Sequence, residues 1–435
     1  MIMQTVKTLQ NVTATGPALF NLVRSKASNT FQDRIPVATQ NNIKDVAAAI
    51  FEAPENLNEY SHILLNQIGG IKVDYAMFTN PMAVLKKGRL EYGDTLEDIY
   101  VEMPEAHDFS EAKDDGSIFK NDIPRSIMAF YTRNYRVFYT KTLTEDNWRA
   151  AFQSWGQLDN FINAVFATFQ TASQNDEFLS MMQLINQYGT DGRLAVVKCD
   201  EVTDKESAEN LLVKIKATAN RFKFPSADYN SCGVLNTTDQ TQLTLIVSAD
   251  ADAYIDVKAL AAAFNVEYQK LSYRKIVVPS FGDSANTEMK NVQCVLIDDR
   301  FFQVYDCLER VRWLDNPENL TTKYWYHFWK IMFVCPWAQA VAFTAGTSSI
   351  TGVTVSPAST AQSKGTTIQC SATVDGTGLY NKTVSWAVSG NRDTATKIDE
   401  NGTLHIGANE TGPVTVTATS VQDASQNGTA VYTIS

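Results

Sequence analysis

IKVDYAMFTNPMAVLKKGRLEYGDTLEDIYVEM, residues 71–103, decides whether this chain closes on itself or is completed by another molecule. Two halves, 71–85 and 89–103, flank Lys86, Lys87 and Gly88. They are charged, extended in character and free of helical spacing, so they read as two strands of a ribbon turning at the basic triplet. Each arm of about 14 residues would span roughly 45 Å at the usual strand rise. A body of about 340 residues has a radius of gyration of about 20 Å, so such a ribbon must project. An isolated two-stranded ribbon is marginal in water, and Pro81 keeps its strand out of a sheet interior. The expectation is a ribbon that lies on an adjacent copy of the same chain. Its tip is the expected subunit interface: Lys86, Lys87, Gly88 and Arg89, with Glu91 and Asp94 beside them. A phosphate loop is the competing reading and fails, because the remaining glycines and the trailing Lys-Ser/Thr are missing.

Composition narrows the function classes. The 435 residues suffice for two or three domains. An apolar content of 44% with 20% charged residues is that of a soluble globular protein. The balance of 37 basic against 48 acidic side chains leaves a net charge of −11, which disfavours tight general binding of nucleic acid. Cys199, Cys232, Cys294, Cys307, Cys335 and Cys370 contain no CxxC pair, so reduced thiols and a cytosolic folding compartment are expected. The start, MIMQTVKTLQ, lacks a basic-then-apolar signal pattern, and no export is expected from it. The most apolar stretch, IMFVCPWAQAVAF (331–343), contains Pro336 and Gln339. It falls short of the roughly 20 apolar residues of a membrane span.

The composition breaks once. All 22 phenylalanines lie at or before Phe343, whereas 18 threonines follow from Thr347 onward with a single tryptophan, Trp386. Turn signals at SPAS (356–359), DGTG (375–378), ENGT (400–403) and ETGP (410–413) separate the alternating runs VTV, TIQCSATV, TVSWAV and PVTVTAT. This pattern predicts a small antiparallel β-sandwich over 347–435, with a boundary near Gly346.

The first 345 residues predict an α+β body. A polar segment of weak periodicity to about Gln40 reads as an arm, followed by a short helix at NNIKDVAAAI. The strongest helical tract has two expected capping boxes, Thr142 with Glu145 and Ser154 with Gln157. Beyond the second, Leu158, Ile162, Val165 and Phe169 recur at three- and four-residue intervals, and Phe161 and Phe166 widen the face. DEFLSMMQLINQYG follows, with Gly189 as the expected C-cap. Further expected elements are helices at 204–221 (opened by Thr203 and Glu206) and 256–264, and strands at 243–247, 275–278, 292–297 and 301–305.

Catalytic, cofactor and metal sites have no support. Asp250 and Asp252 would share a direction on a strand end, yet such pairs are usually solvated carboxylates; Asp298 and Asp299 read as turn residues. His62, His107, His327 and His405 lack the close spacing of a local metal motif. His327 within KYWYHFWK reads as a core or interface histidine. No GxSxG, HExxH or GxGxxG occurs. Catalytic, cofactor-binding and metal residues are therefore expected to be none, and the chain is not expected to be an enzyme.

In order, the chain shows a polar arm, a charged extended loop, a long helix and a mixed α/β region. This resembles the major capsid proteins of tailed bacteriophages, with the Hong Kong 97-type fold. VATQNNIKDVAAAI (37–50), TNPMAVLKKGRLEYGDTLEDIY (79–100), SWGQLDNFINAVFATFQ (154–170) and YWYHFW (324–329) resemble the phi-29-like short-tailed group in particular. ITGVTVSPAS (350–359), TVSWAVSG and IDENGTLHIG resemble a group 2 bacterial immunoglobulin-like (BIG2) module. The resemblance implies a capsid domain over 1–345, followed by the BIG2-type domain at 347–435. Within the first, it implies an N-arm at about 1–45, an extended loop at about 71–105 and a peripheral domain at about 120–190 plus 323–345. An axial domain at about 195–320 completes it, with 323–343 closing the peripheral sheet. It further implies pentamers and hexamers of an icosahedral head enclosing double-stranded DNA, with a scaffolding protein and a portal as partners during assembly in the host bacterial cytoplasm. The C-terminal module is expected as an outer appendage, with host-surface glycans as a possible ligand. The rival readings are a surface adhesin or carbohydrate-active protein, which would need export, and another phage structural subunit such as a tail or sheath protein.

Overall fold

The computed structural model describes residues 16–67, 78–90, 93–104, 126–262, 273–399 and 401–435. Its axis is one helix of 36 residues, Trp155–Thr190, about 54 Å long at the standard rise. Ser154 caps it as expected, its side chain accepting the Gln157 N–H. The two helical patterns read from the sequence are one continuous element. Its buried stripe is apolar at Leu158, Ile162, Val165 and Phe169, polar at Ser173 and Glu177, and apolar again at Phe178, Met181, Ile185 and Tyr188. The polar middle separates two cores on the same helix.

The first core joins the N-terminal half of this helix to the chain's own N-terminal segment. Within the segment expected as an arm, Gly16–Lys26 and Asn29–Arg34 are helical; the short helix expected at NNIKDVAAAI is Ile43–Phe51, and Pro54–Gln67 follows it. Their anchors are buried aromatic side chains: Phe20 stacks on Tyr60 at 4.8 Å and meets Trp155 edge-on at 5.7 Å. The Trp155 indole N–H donates to Thr39 O, which ties the segment to the helix start. The periodicity to Gln40 is weak because Gly16–Lys26 is anchored chiefly by Phe20 and Val23, and Asn29–Arg34 by Phe31.

Over this core lies a four-stranded sheet in the order Gly88–Arg89, Phe302–Asn316, Thr321–Val334, Tyr135–Thr144. Its centre is a long antiparallel hairpin, running from Thr321 opposite Asn316 to Val334 opposite Phe302 with a one-residue bulge between Trp329 and Lys330. Thr142, expected as a cap, lies in this sheet opposite Lys323, and Thr144 caps the helix Glu145–Ala151. Ladder hydrogen bonding holds Thr142 in the strand, so the cap moves to the last strand residue.

A second, five-stranded sheet runs Ala195–Lys198, Ala340–Thr344, Val292–Asp298, Leu243–Ser248, Arg274–Val278. One face packs on the C-terminal half of the long helix. The other is covered by Lys205–Arg221 and Ala249–Ala262, so every residue of Leu243–Ser248 is buried. The stretch 323–343, expected in a single sheet, divides: Thr321–Val334 stays in the hairpin and Ala340–Thr344 enters this sheet. Asp204 with Ser207 forms the capping box of Lys205–Arg221, one residue beyond the expected pair. The helix expected at 256–264 starts at Ala249. Asp250 and Asp252 therefore stand in a first helical turn, about 200° apart around the axis, which removes the shared direction a metal pair needs. Asp252 pairs with Lys275 at 2.9 Å.

Residues 348–434 form the expected sandwich, with a core of Val355, Cys370, Leu404, Val414, Val416, Ala418 and Tyr432. Among the described residues no helix is long and apolar enough to cross a membrane.

Candidate assembly surfaces

The structure ties Lys86 into its own chain and leaves Lys87, Gly88 and Arg89 exposed along the edge of a sheet. Met82 and Leu85 are buried, and a 3-10 turn, Ala83–Leu85, leads into Lys86. Gly88–Arg89 then pairs in parallel with Tyr305 and Asp306, adding an edge strand to the four-stranded sheet. Lys86 reaches the carboxylates of Glu177 (3.0 Å) and Asp306 (2.6 Å). Lys330 contacts the same two carboxylates, and the buried Asn80 donates to Glu177 at 2.8 Å. The Lys87 ammonium donates to Asp299 O, and Gly88 takes φ +126°. No hairpin turns at Lys86–Gly88. Among the described residues, Lys86 alone of these cations finds carboxylates distant in sequence, on the long helix and the hairpin. Glu91 lies outside the described residues. Arg89 and Asp94 keep exposed side chains, Asp94 paired with Arg133 at 2.6 Å.

The electrostatics follow from this pairing. Burial by itself would raise the Glu177 and Asp306 carboxyls, but Lys330 and Lys86 outweigh it and hold both below the ordinary range. Burial opposes the Lys86 charge, and the two carboxylates overcome it and raise its pKa. Four separate segments are pinned at one point: 80–86, the long helix, and both strands of the hairpin.

A true two-stranded ribbon exists with a different partner. Thr95–Val101 pairs antiparallel with Ser126–Thr132, from Thr95 opposite Thr132 to Val101 opposite Ser126. The residues connecting these strands through 105–125 lie outside the described ones. One face packs on the chain's own body: Tyr131 meets Phe333 at 5.5 Å, Tyr100 meets Trp337 at 6.2 Å, and the Tyr100 hydroxyl donates to Leu235 O. Period two then turns the intervening residues away from the body. Beside the polar Thr95, Glu97, Ser126 and Thr132 they include large apolar side chains: Ile99, Val101, Met128 and Phe130, with Met103 beyond the strand end, are each 52–60% exposed. A run of this kind on one face marks a contact surface. SIMAFYT (126–132) is a near-continuous apolar run, which marks a strand without naming its partner or its exposed face.

A second surface lies on the outer side of the four-stranded sheet. The register brings Lys323, Trp325, His327 and Trp329 beside Arg136 and Phe138 on one flank. Arg310, Arg312 and Leu314 line the other. Arg133 and Arg136 sit over Trp329 at 5.3 and 5.4 Å, and Lys323 over Trp325 at 5.4 Å. Phe138 and Leu314 are 57% and 65% exposed. The outward ladder positions here carry no carboxylate, in a chain whose net charge is −11. His327 belongs to this face, 5.6 Å from Phe138. His62 stacks on Trp313, His405 meets Thr367 in the sandwich, and His107 lies outside the described residues. Among the described residues no cluster of His, Cys, Asp and Glu could hold a metal.

Comparison with known proteins agrees with these features. Residues 20–344 match the family described as Phi29-like phage major capsid protein, and residues 349–431 match the bacterial Ig-like domain, group 2. The major capsid protein of Bacillus phage B103 is 32% identical over 406 residues, covering 92% of this chain and 89% of the relative. That of Bacillus phage PZA is 31% identical over 405 residues, with the same coverage. A solved structure described as the head fiber and inner core protein gp22 of native bacteriophage P68 aligns with a TM-score of 0.50. It has 15% identity and covers 63% of this chain and 87% of that one, which bears on the fold alone. The body has the Hong Kong 97-type capsid fold, and the adhesin reading is not favoured, since the family match spans the body rather than the module. With a buried-pin body, an exposed apolar ribbon and an Ig-like module, the chain belongs to the phi29-like phage major capsid proteins, structural subunits that associate with one another to form the icosahedral shell of the virion.

Proposed function

We propose that the outward face of the ribbon Thr95–Val101/Ser126–Thr132 is the principal contact between copies, laid on the basic, aromatic outer face of the next copy's four-stranded sheet. The observation that carries this reading is the strip Ile99, Val101, Met103, Met128 and Phe130, large apolar side chains left in water on the face turned from their own body. Glu97 lies within that strip opposite Phe130, and Glu102 flanks it. Both complement the cations at Arg136, Arg310, Arg312 and Lys323. Arg89 and Asp94, at the root of the ribbon, belong to the same proposed contact; Lys86 and Lys87 are engaged within the chain. Repeated around a ring, the contact would build pentamers and hexamers. Enclosure of double-stranded DNA, help from a scaffolding protein and a portal, assembly in the host bacterial cytoplasm, the absence of enzymatic activity and glycan binding by the module rest on the family resemblance. The division near Gly346 into shell body and module is part of the same reading.

The test replaces Ile99 and Phe130 together with glutamate. The monomer should keep its circular dichroism and unfolding midpoint, because both side chains face water, while electron microscopy should show no closed shells. Shells formed at the normal yield would overturn the assignment of this face.

A further inference from the structure

The sandwich is seated on the body by a seam that the shell contact does not use. Only residues 345–347 separate the strand Ala340–Thr344 from the sandwich's first strand, Ser348–Ser356. The step is packed: Ala345 N–H donates to Asn291 O (2.9 Å) and Gly346 N–H to Thr344 Oγ1 (3.1 Å). A Cβ on Gly346 would come within 2.8 Å of the Asn291 side chain. Leu379 of the sandwich is 2% exposed and belongs to the body's second core, with Tyr188, Leu194 and Met289.

Lys382 makes the third contact. Its backbone N–H donates to Gly192 O (2.7 Å) and its ammonium to Thr190 O (3.2 Å). Its aliphatic stem lies over Gly192, where any added Cβ would collide with it. Thr190 is the last residue of the long helix, and Gly192, at φ +74°, turns the chain away from it. That helix has no basic residue in its last turn, and Asp191 sits at its C-cap. Terminal carbonyls and the negative end of a helix dipole call for a cation and for donors. The chain's own turn satisfies the carbonyls of Gln187, Tyr188 and Gly189 through the N–H groups of Asp191, Arg193 and Gly192, and Lys382 adds the cation, at the Thr190 carbonyl, from another domain.

We propose that the Ig-like module completes the C-terminal cap of the long helix, with Leu379 as the apolar anchor and Lys382 as the added cation, so that the last helical turn opens more readily when these contacts are lost. The module is then a fixed part of the body rather than a dispensable appendage. This goes beyond the shell reading and is independent of it, because it concerns the unassembled chain.

Hydrogen exchange followed by mass spectrometry on the unassembled full-length protein tests it. Lys382→Met keeps the stem and removes the ammonium. Amides of 187–193 should then exchange about two- to five-fold faster, the scale of a charge at a helix end. Leu379→Ala should accelerate the same amides about ten-fold or more. Strand 243–248 should be unchanged in both variants. Unchanged exchange at 187–193 in both would overturn the proposal. So would a Leu379→Ala chain whose sandwich strands open while the helix end stays protected. If Leu379→Ala opens both, Lys382→Met decides.

Discussion

At the scale of single residues, the chain is held by an ion cluster that neighbouring sequence does not suggest. Glu177 is 1% exposed and lies between Lys86 and Lys330, with Asp306 completing the balance. Removing Glu177 leaves Lys330 short of a partner in a buried site, which is where a charge costs most. Glu177→Gln should lower stability by about 3–5 kcal/mol, measured by urea unfolding. The pH dependence has a definite sign. Glu177 and Asp306 have lowered folded pKa values, so their contribution is complete above the ordinary carboxylate range and erodes as pH falls through the depressed values. Lys86 has a raised value, so its contribution is complete below the ordinary lysine pKa and is lost only as alkaline pH passes the raised one. Unfolding midpoints compared at about pH 3 and pH 7, which bracket the usual carboxylate values, should therefore differ less in the glutamine variant than in the parent. Equal differences would show that Glu177 is not the titrating group.

At the scale of elements, one helix organises both cores, and its start is a local decision. Ser154 in extended backbone accepts the Gln157 N–H. Ser154→Ala should cost about 1 kcal/mol and leave the fold intact, checked by thermal unfolding with circular dichroism. The ribbon is the opposite case. Its strands Thr95–Val101 and Ser126–Thr132 are far apart in sequence, and two strands alone are marginal in water. It stands because Tyr100, Tyr131 and Asp98 hold one face to Trp337, Phe333 and Cys335. Asn134 completes the root, exchanging hydrogen bonds with the Met332 backbone. The same anchoring that stabilises the ribbon turns Ile99 and Phe130 outward.

At the scale of the whole molecule, charge is partitioned. The chain carries a net −11 yet keeps an acid-free face on its four-stranded sheet. A closed shell is stabilised by many modest contacts acting together, and each must stay weak enough for misplaced copies to leave. A contact mixing apolar and charged groups has that character, and its charged part is screened by salt. Arg310→Glu combined with Arg312→Glu should therefore suppress assembly while leaving the urea midpoint of the monomer within about 0.5 kcal/mol of the parent, as for exposed surface sites. Assembly of the parent should weaken as salt rises, read by light scattering. Indifference to both changes would remove this face from the contact. The docked module alters the expected behaviour of a chain ending at residue 345, because the end of the long helix would lose Leu379 and Lys382.

Local chemistry is legible in one dimension. The loss of phenylalanine after Phe343 and the alternating threonines determined the sandwich, and the Ser154 cap with its apolar stripe determined the start of the long helix. Strand-forming character around 95–101 was equally plain, but its partner was not. Alternation states that a strand has two faces, while backbone hydrogen bonding accepts any strand of matching geometry, so the pairing with 126–132 was decided by what Tyr100 and Tyr131 could bury. Lys86 makes the same point for charge. Its sequence neighbours suggest an exposed tip, and only the approach of Glu177 and Asp306 in three dimensions turned it inward, because Coulomb attraction depends on distance in space and on the water excluded between the partners.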